Sequence, residues 1–354
     1  MAYGSLMSTH DLGGAFDTAV IHVTSSVHTI TNVYAKKDGI VYTGISTGTN
    51  AFDIKVNDKG TYEIWASVDG ASASKVDSAV VSQPEEYSVE ILVVSKTLND
   101  NSWATISKIS SSGMVTSYWA IGDSKEIILN GTIKALTLNN LSIRAVIIGI
   151  DHNKDVESPD THLIHFQIGK INASNREMNG LVDDYYNTNV YNTKNGFYMS
   201  YSFKNFGWHA SACRDYLGQN KTDNNTFLKC LPQELQTQLK MVIKYSTEGS
   251  YGTPSSYKPV ESKNLIFLLS EFEWAGSKIY GNDSSSGKNV YYDYYKLGNN
   301  YRVRSYKDEG LTVNCWTRSQ GRSGASGVVI HDENERTFLI NTQMSEAISP
   351  CFCV

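Results

Sequence analysis

Residues 61–68 read Thr-Tyr-Glu-Ile-Trp-Ala-Ser-Val, with an apolar side chain at every second position from Tyr62 onward. A period of two predicts a β-strand with one buried face. Short runs of β-branched and aromatic residues of the same kind fill residues 16–95, and turns rich in Asn, Asp and Gly separate them. This region is therefore predicted to form an all-β sandwich, preceded by an N-terminal arm at residues 1–15.

The start of that strand carries a more specific pattern. Gly60, Thr61 and Tyr62, followed by Ala66, resemble the penultimate-strand pattern of immunoglobulin-like (Ig-like) modules in bacterial and phage proteins. The resemblance covers this segment and implies that residues 16–95 form an Ig-like β-sandwich. Such a module is expected to act as a spacer or stalk that attaches the chain to other virion proteins. A binding role of its own would require an exposed aromatic patch.

A second domain is predicted after a short linker. Residues 96–102 are rich in Asn, Asp and Ser and form the predicted linker, whereas residues 103–354 combine strand-like runs with helical patterns. One helical pattern is Ser211–Leu217, with Ser211 as a candidate N-cap. A stronger one is Pro232–Tyr245, where apolar residues recur at i, i+4 and i+7. The predicted fold class of the second domain is α+β.

Several short phrases of the second domain occur in an order that matches one domain family. They include Gly149-Ile150-Asp151-His152-Asn153, Gly207-Trp208-His209-Ala210-Ser211, Leu268-Leu269-Ser270-Glu271, Trp316-Thr317-Arg318-Ser319 and Ser349-Pro350-Cys351. The series resembles a poorly characterised domain of bacterial and phage proteins, which is similar to the C-type lectin fold in its sulfatase-modifying-factor branch. The same fold carries the variable proteins of diversity-generating retroelements, among them phage receptor-binding proteins. The resemblance implies that residues 103–354 form a C-type-lectin-like domain, a rigid scaffold with an irregular binding face.

Two stretches of this second domain are rich in Tyr, Asn and Ser. Tyr supplies a large flat contact area at little entropic cost, and Asn and Ser add adaptable hydrogen bonds, so such stretches are typical of binding surfaces. The alternative is that tyrosines such as Tyr292 and Tyr295 fill the core. The candidate ligand-binding residues are Tyr291, Tyr294, Tyr301, Asn299, Asn300, Tyr186, Tyr191 and Tyr198. The residues expected to support this face from beneath are Trp316, Arg318 and Trp208.

Four residues are of types that bind metal ions, namely Asp151, His152, His162 and His165. His162 and His165 are three residues apart on a predicted strand, so their side chains are expected to point to opposite faces. We therefore expect structural histidines that bond to the backbone, and no metal site.

Glu271 and Glu273 fall on one face of a segment that is predicted to be extended. Such a pair could serve acid–base chemistry or bind calcium. The alternative is that both carboxylates are solvated or paired with Arg318 or Arg214. No cofactor is predicted from these residues.

The five cysteines are odd in number and scattered, which argues against a disulfide framework. Formylglycine-generating relatives of the family above use a late cysteine pair to hold copper and activate oxygen. Cys351 and Cys353 are separated by one residue, which departs from the wider spacing of those relatives. The sequence also lacks a nucleophile elbow, a phosphate-binding loop and a zinc-protease motif. The chain is therefore predicted not to be an enzyme.

Composition narrows the classes of partner. The net charge is -5 and only 19% of residues are charged, so binding to nucleic acid through phosphate neutralisation is not expected. No apolar run approaches the roughly 18 residues that a membrane span needs. The N-terminus lacks the basic and apolar regions of a Sec signal. We therefore expect synthesis in the host cytoplasm, release within a virion, and no membrane partner.

Together these features predict a non-enzymatic phage adhesin. It would be a virion-associated receptor-binding protein of the tail-fibre kind. It would be exposed on the virion surface and serve host attachment. Its expected ligand is a host cell-surface glycan or protein, and a homo-oligomer is compatible with the sequence. One alternative is a structural virion protein for capsid decoration or tail assembly. A further alternative is an oxygenase of the formylglycine-generating type.

Overall fold

The chain divides into two compact units, Met1–Val94 and Ser95–Val354. The predicted N-terminal arm lies outside the described residues. No helix among the described residues is both long and apolar enough to cross a membrane. The computed structural model describes residues 16–133, 136–171, 177–178, 199, 207–248, 258–277, 288–297, 315–321, 326–331, 336–341 and 348–354.

The first unit is built from two four-stranded sheets, with strand orders β4-β5-β1-β8 and β3-β2-β6-β7. Its strands are β1 (Ala19–Thr24), β2 (Ile30–Lys37), β3 (Ile40–Thr43), β4 (Ile45–Gly48), β5 (Ala51–Val56), β6 (Gly60–Val68), β7 (Ser74–Val81) and β8 (Glu86–Glu90). Alternate residues of both sheets meet in one core, which includes the fully buried side chains of Ile21, Ile54 and Ile64. The region is therefore all-β, as its period of two predicts.

A tyrosine fixes the corner between β5 and β6. Tyr62 is fully buried, and its hydroxyl donates to the Asp58 carbonyl oxygen at 2.9 Å and also to the Asp58 carboxylate. Lys37 of β2 donates to the same carboxylate. Burial and the Asp58 carboxylate raise the pKa of Tyr62 above its usual range. The Tyr62 hydroxyl thus ties the corner to its own backbone, and the Asp58 side chain is also held by Lys37 of β2, the strand that pairs with β6.

Replacing Tyr62 by Phe is expected to lower the free energy of unfolding of the first unit by about 1 kcal/mol. The ring keeps its place in the core, whereas the Asp58 carbonyl loses its donor. Tyr42→Phe is the matched control, because the Tyr42 hydroxyl reaches the Asp58 carboxylate only at 3.5 Å. Urea denaturation followed by tryptophan fluorescence measures both variants. Equal losses in the two variants would contradict the role given to the Tyr62 hydroxyl.

The described part of the second unit is mostly β-sheet with short helices. Its strands are β9 (Ser124–Ile133), β10 (Leu136–Ile150), β11 (Ile164–Ile171), β12 (Glu177–Met178), β13 (Val242–Glu248), β14 (Lys258–Asn264), β15 (Ile266–Phe267), β16 (Cys315–Gln320), β17 (Ser326–His331), β18 (Arg336–Asn341) and β19 (Cys351–Cys353). Its α-helices are α1 (Trp103–Ser111), α2 (Lys154–Glu157), α3 (Ala212–Leu217), α4 (Phe227–Cys230), α5 (Gln233–Gln238), α6 (Glu271–Ala275) and α7 (Asp293–Lys296).

The central sheet of this unit has the order β15-β19-β11-β10-β9, with β12 beside β11. The C-terminal strand β19 therefore lies inside the sheet, where Phe352 pairs with Phe166 and with Ile266. The rings of Phe166 and Phe352 stack at 5.4 Å, and Trp103 of α1 packs edge-on against both. A hairpin of β13 and β14 and a three-stranded sheet, β16-β17-β18, complete the unit.

The two helix predictions have different outcomes. The helix at Ala212–Leu217 is confirmed, and the Ser211 hydroxyl caps it by accepting from a backbone N–H of its first turn. The prediction of a helix over Pro232–Tyr245 is wrong in its second half. The helix ends at Gln238, and Val242 begins β13, whose backbone pairs with β14. Leu235, Leu239 and Val242 are all buried, as their spacing suggests, but they are buried by a short helix followed by a strand and not by one long helix.

The segment predicted to be a linker, residues 96–102, is instead the ordered start of the second unit. Leu98–Asp100 forms a single 3₁₀ turn, and Leu98 is buried. The Asn101 side chain is also buried and donates to the carbonyl oxygens of Ser95 and Thr97. The polar residues that suggest a linker serve here to satisfy backbone groups of a compact turn.

Candidate functional site

A buried lysine lies at the centre of the second unit. Lys244 of β13 is fully buried, and its ammonium donates to the carboxylates of Glu157 and Glu273, the latter at 3.3 Å. It also donates to the Tyr292 hydroxyl at 2.9 Å. Its contacts thus join β13, the end of α2, helix α6 and the segment before α7. Sequence reasoning missed Lys244 because its partner Glu157 lies 87 positions away along the chain.

A buried arginine completes the charge balance. Arg318 of β16 donates to the Glu273 carboxylate and, at 2.8 Å, to the Leu268 carbonyl oxygen. Its remaining nitrogens bind the Asn289 amide oxygen at 3.0 Å and the Tyr245 carbonyl oxygen at 3.2 Å. Such a forked set of donors suits a guanidinium better than an ammonium. These contacts place Arg318 in the core, and its role beneath a binding face stays a prediction.

Glu273 is held by its own helix as well. Ser270 caps α6, because its hydroxyl accepts from the Glu273 N–H while the Glu273 carboxylate accepts from the Ser270 N–H. This reciprocal capping box places Glu273 in the first turn of a helix. The expectation of an extended segment with Glu271 and Glu273 on one face is therefore wrong, and both residues are buried. The predicted alternative, pairing with Arg318, is confirmed for Glu273.

Two histidines and a tyrosine seal the cluster on one side. The His152 ring stacks on Tyr292 at 3.5 Å, and the His165 ring meets His152 edge-on at 5.6 Å. His165 Nδ1 lies 3.0 Å from the Tyr292 hydroxyl. Within the described residues the Nε2 atoms of both histidines are buried without a hydrogen-bond partner. We call the following residues the ionic cluster: His152, Glu157, His165, Lys244, Glu273, Tyr292 and Arg318.

Burial controls protonation in the ionic cluster. It lowers the pKa of His152 to about 3 and that of His165 well below its usual value, and the charge of Lys244 acts in the same direction. Burial raises the pKa of Glu157 to about 7, against the opposing effect of Lys244. Burial also acts to raise the pKa of Glu273, but Arg318 and Lys244 outweigh it and lower that pKa to about 2. Both histidines are therefore neutral near pH 7, and Glu273 is ionised.

The predicted metal-type residues do not form one site. Asp151 and His162 form a separate pair at 2.6 Å, with the His162 side chain 41% exposed. Among the described residues, His152, Glu157 and Glu273 bring ligand-type atoms within 4.8 Å of one another. The Lys244 ammonium already binds both carboxylates, so a divalent ion would have to displace it. The expectation that these histidines bond to the backbone is wrong for His165, because its Nδ1 faces the Tyr292 hydroxyl.

The structure describes some of the residues that were predicted to form or support the binding face. Trp208 and Trp316 are fully buried, and their role beneath a binding face stays a prediction. Tyr294 is 1% exposed, so the expectation that it lines the surface is wrong. Tyr291 is half-buried, and its hydroxyl donates to the Tyr295 carbonyl oxygen at 2.7 Å. The remaining predicted residues lie outside the described residues, namely Tyr186, Tyr191, Tyr198, Asn299, Asn300 and Tyr301.

The short helix α7 explains why Tyr294 is inside. Asp293 and Lys296 pair at 2.7 Å on the exposed side of this turn, which directs Tyr294 and Tyr295 inward. Their rings meet edge-to-face at 5.2 Å. Tyr292 is fully buried as well. The alternative in which Tyr292 and Tyr295 fill the core is confirmed.

The terminal cysteine pair is fully buried in β19. Burial raises the pKa of Cys353 well above its usual value. Because the thiolate is both the nucleophile and the metal-binding form of cysteine, such an environment disfavours redox and metal chemistry at this position. The Cys351 thiol lies 3.8 Å from the Ser349 carbonyl oxygen.

The comparisons with known proteins give one family match. Residues 181–354 match the model of a domain of unknown function (DUF6273). No curated protein and no solved structure matches the chain. The matched part contains Lys244, Glu273 and Arg318, whereas Glu157 and His165 precede it. The ionic cluster therefore fastens the matched part to the strands and helix before it.

Proposed function

We propose that the chain is a non-enzymatic adhesin of a phage virion, in which the first unit is an Ig-like attachment module and the second unit is a C-type-lectin-like ligand-binding domain. Its ligand is a glycan or protein of the host cell surface. The observation that carries the proposal is that the ionic cluster, which brings acid, base and ammonium side chains together in the second unit, is closed to solvent.

No residue of the ionic cluster is more than 5% exposed. Lys244 donates to both carboxylates of the cluster and Arg318 donates to Glu273, while both histidines are held neutral. A general base or nucleophile must reach a substrate atom within hydrogen-bond distance. Sealed groups of this kind instead fix the relative positions of the elements that carry them. Such a core supports a rigid scaffold, which is what a binding domain needs.

The first unit supports the proposal through its architecture. Two four-stranded sheets around one core, with a tyrosine hydroxyl bonded four residues back at the entry to β6, agree with an Ig-like module. On its outer face Tyr34 and Trp65 stack at 6.1 Å, but the Lys36 ammonium covers the Trp65 ring at 3.9 Å. Because a lysine of the same chain already covers one of the two rings, the pair is less available to a ligand. This favours a spacer role over a binding role.

The test is adsorption to cells. Labelled full-length chain is incubated with a panel of bacterial strains, and the bound fraction is measured for wild type, Tyr186→Ala and Tyr301→Ala. Each substitution is expected to weaken adsorption about thirtyfold, which corresponds to roughly 2 kcal/mol for an aromatic hot spot. The free energy of unfolding should stay within about 1 kcal/mol of wild type.

Tyr118→Ala is the matched control, because this half-buried tyrosine lies outside both Tyr-rich stretches. It should leave adsorption unchanged. Wild-type chain that adsorbs to no strain of the panel, or variants that adsorb as wild type does, would count against the proposed function.

A further inference from the structure

A cleft of about 370 Å³ lies beside the ionic cluster, between the segment after α2 and the β13·β14 hairpin. Glu157 lines it and also binds Lys244 in the core, so the cleft and the ionic cluster share one residue. The volume falls within the roughly 300–1,000 Å³ that is usual for small-molecule sites. The sequence predictions did not include this cleft.

Two cations line the cleft. Lys240 is half-buried and Lys263 is exposed, and among the described residues neither ammonium has an ion pair. Their backbones are fixed, because the Lys240 N–H donates to the Cys353 carbonyl oxygen at 2.9 Å and Lys263 pairs with Ile243 in the hairpin. Two unpaired ammonium groups on one concave surface favour an anionic ligand group.

The rest of the lining limits the kind of anion. Asp160 adds an exposed carboxylate that can accept hydrogen bonds from ligand hydroxyls and that repels a doubly charged phosphate. Met241, which is 50% exposed, offers an apolar contact.

We propose that this cleft binds a carboxylated sugar of the uronic acid class. The carboxylate lies between Lys240 and Lys263, ring hydroxyls bind the Asp160 carboxylate, and a CH-rich ring face rests on Met241. The inference rests on the proposed function because it takes the host ligand to be a glycan, and it specifies that this glycan is acidic. It does not depend on the Tyr-rich stretches.

The test is calorimetric titration of the full-length chain with sodium D-glucuronate, with D-glucose and inorganic phosphate as comparison probes. We expect a Kd on the order of 1 mM for glucuronate and no measurable binding of glucose. The double variant Lys240→Gln/Lys263→Gln should weaken glucuronate binding at least tenfold. Lys258→Gln is the matched control, because Lys258 is an exposed lysine of the same strand that does not line the cleft.

Glucose binding equal to that of glucuronate, tighter binding of phosphate, or no effect of the double variant would each overturn the cleft assignment. The two proposals fail separately. Cell adsorption without glucuronate binding would remove the cleft site and leave the adhesin. Glucuronate binding that the double variant abolishes, in a chain that adsorbs to no cell, would support the cleft site and remove the adhesin.

Discussion

Replacing Glu273 by Ala is expected to lower the free energy of unfolding of the second unit by about 3–5 kcal/mol, the usual loss when one partner of a buried ion pair is removed. Arg318 and Lys244 would each keep a buried charge without this carboxylate. The cap of α6 would be lost at the same time. Urea denaturation of the full-length chain measures the effect.

Glu261→Ala is the matched control, because Glu261 is exposed and bonds only the Tyr245 hydroxyl among its described contacts. The free energy of unfolding of Glu261→Ala should stay within about 0.5 kcal/mol of wild type.

The pH dependence of the Glu273→Ala destabilisation identifies its cause. Since the pKa of Glu273 is lowered from 4.5 to about 2, its contribution is fully present above pH 4.5 and is lost as the pH falls toward 2. The difference between wild type and Glu273→Ala should shrink over that interval, and a difference that does not change with pH would contradict the ion-pair origin.

Replacing Tyr294 by Ala is expected to destabilise the second unit by about 3 kcal/mol or more, as is usual when a buried aromatic ring is truncated. Tyr294 is 1% exposed and packs edge-to-face on Tyr295. Removal of the ring leaves a cavity beside Tyr295. Adsorption per folded molecule should be unchanged. Thermal unfolding and the adsorption assay measure the two quantities on the same preparation.

The half-buried Tyr118 again supplies the control, and Tyr118→Ala should cost clearly less stability than Tyr294→Ala. If Tyr294→Ala leaves stability within about 1 kcal/mol of wild type, the ring does not belong to the core.

Local signals in the sequence were sufficient for some elements. The alternation around Tyr62 predicts the β-sandwich strands, because one buried face is all that a strand needs. Ser211 predicts the start of α3, since an N-cap acts within three residues. The capping box of Ser270 and Glu273 is also local, and it could have identified α6 from the sequence.

Other elements depend on partners that are distant along the chain. Lys244 resembles a C-terminal helix lysine in the sequence, but the hairpin with β14 and the carboxylate of Glu157 make it a buried strand residue. The buried position of Tyr294 depends on α7 packing inward, which a run of Tyr, Asp and Lys does not specify. Runs rich in tyrosine fit a core and a binding surface equally well until burial is known.

The proposed separation between a sealed core and a binding face outside it can be tested by one paired measurement. Adsorption per folded molecule and the free energy of unfolding are determined side by side for Tyr301→Ala and Tyr294→Ala. We expect Tyr301→Ala to lose about thirtyfold in adsorption with stability nearly unchanged, and Tyr294→Ala to lose about 3 kcal/mol of stability with adsorption unchanged. The reverse pattern, in which Tyr294→Ala abolishes adsorption by folded molecules and Tyr301→Ala does not, would contradict it.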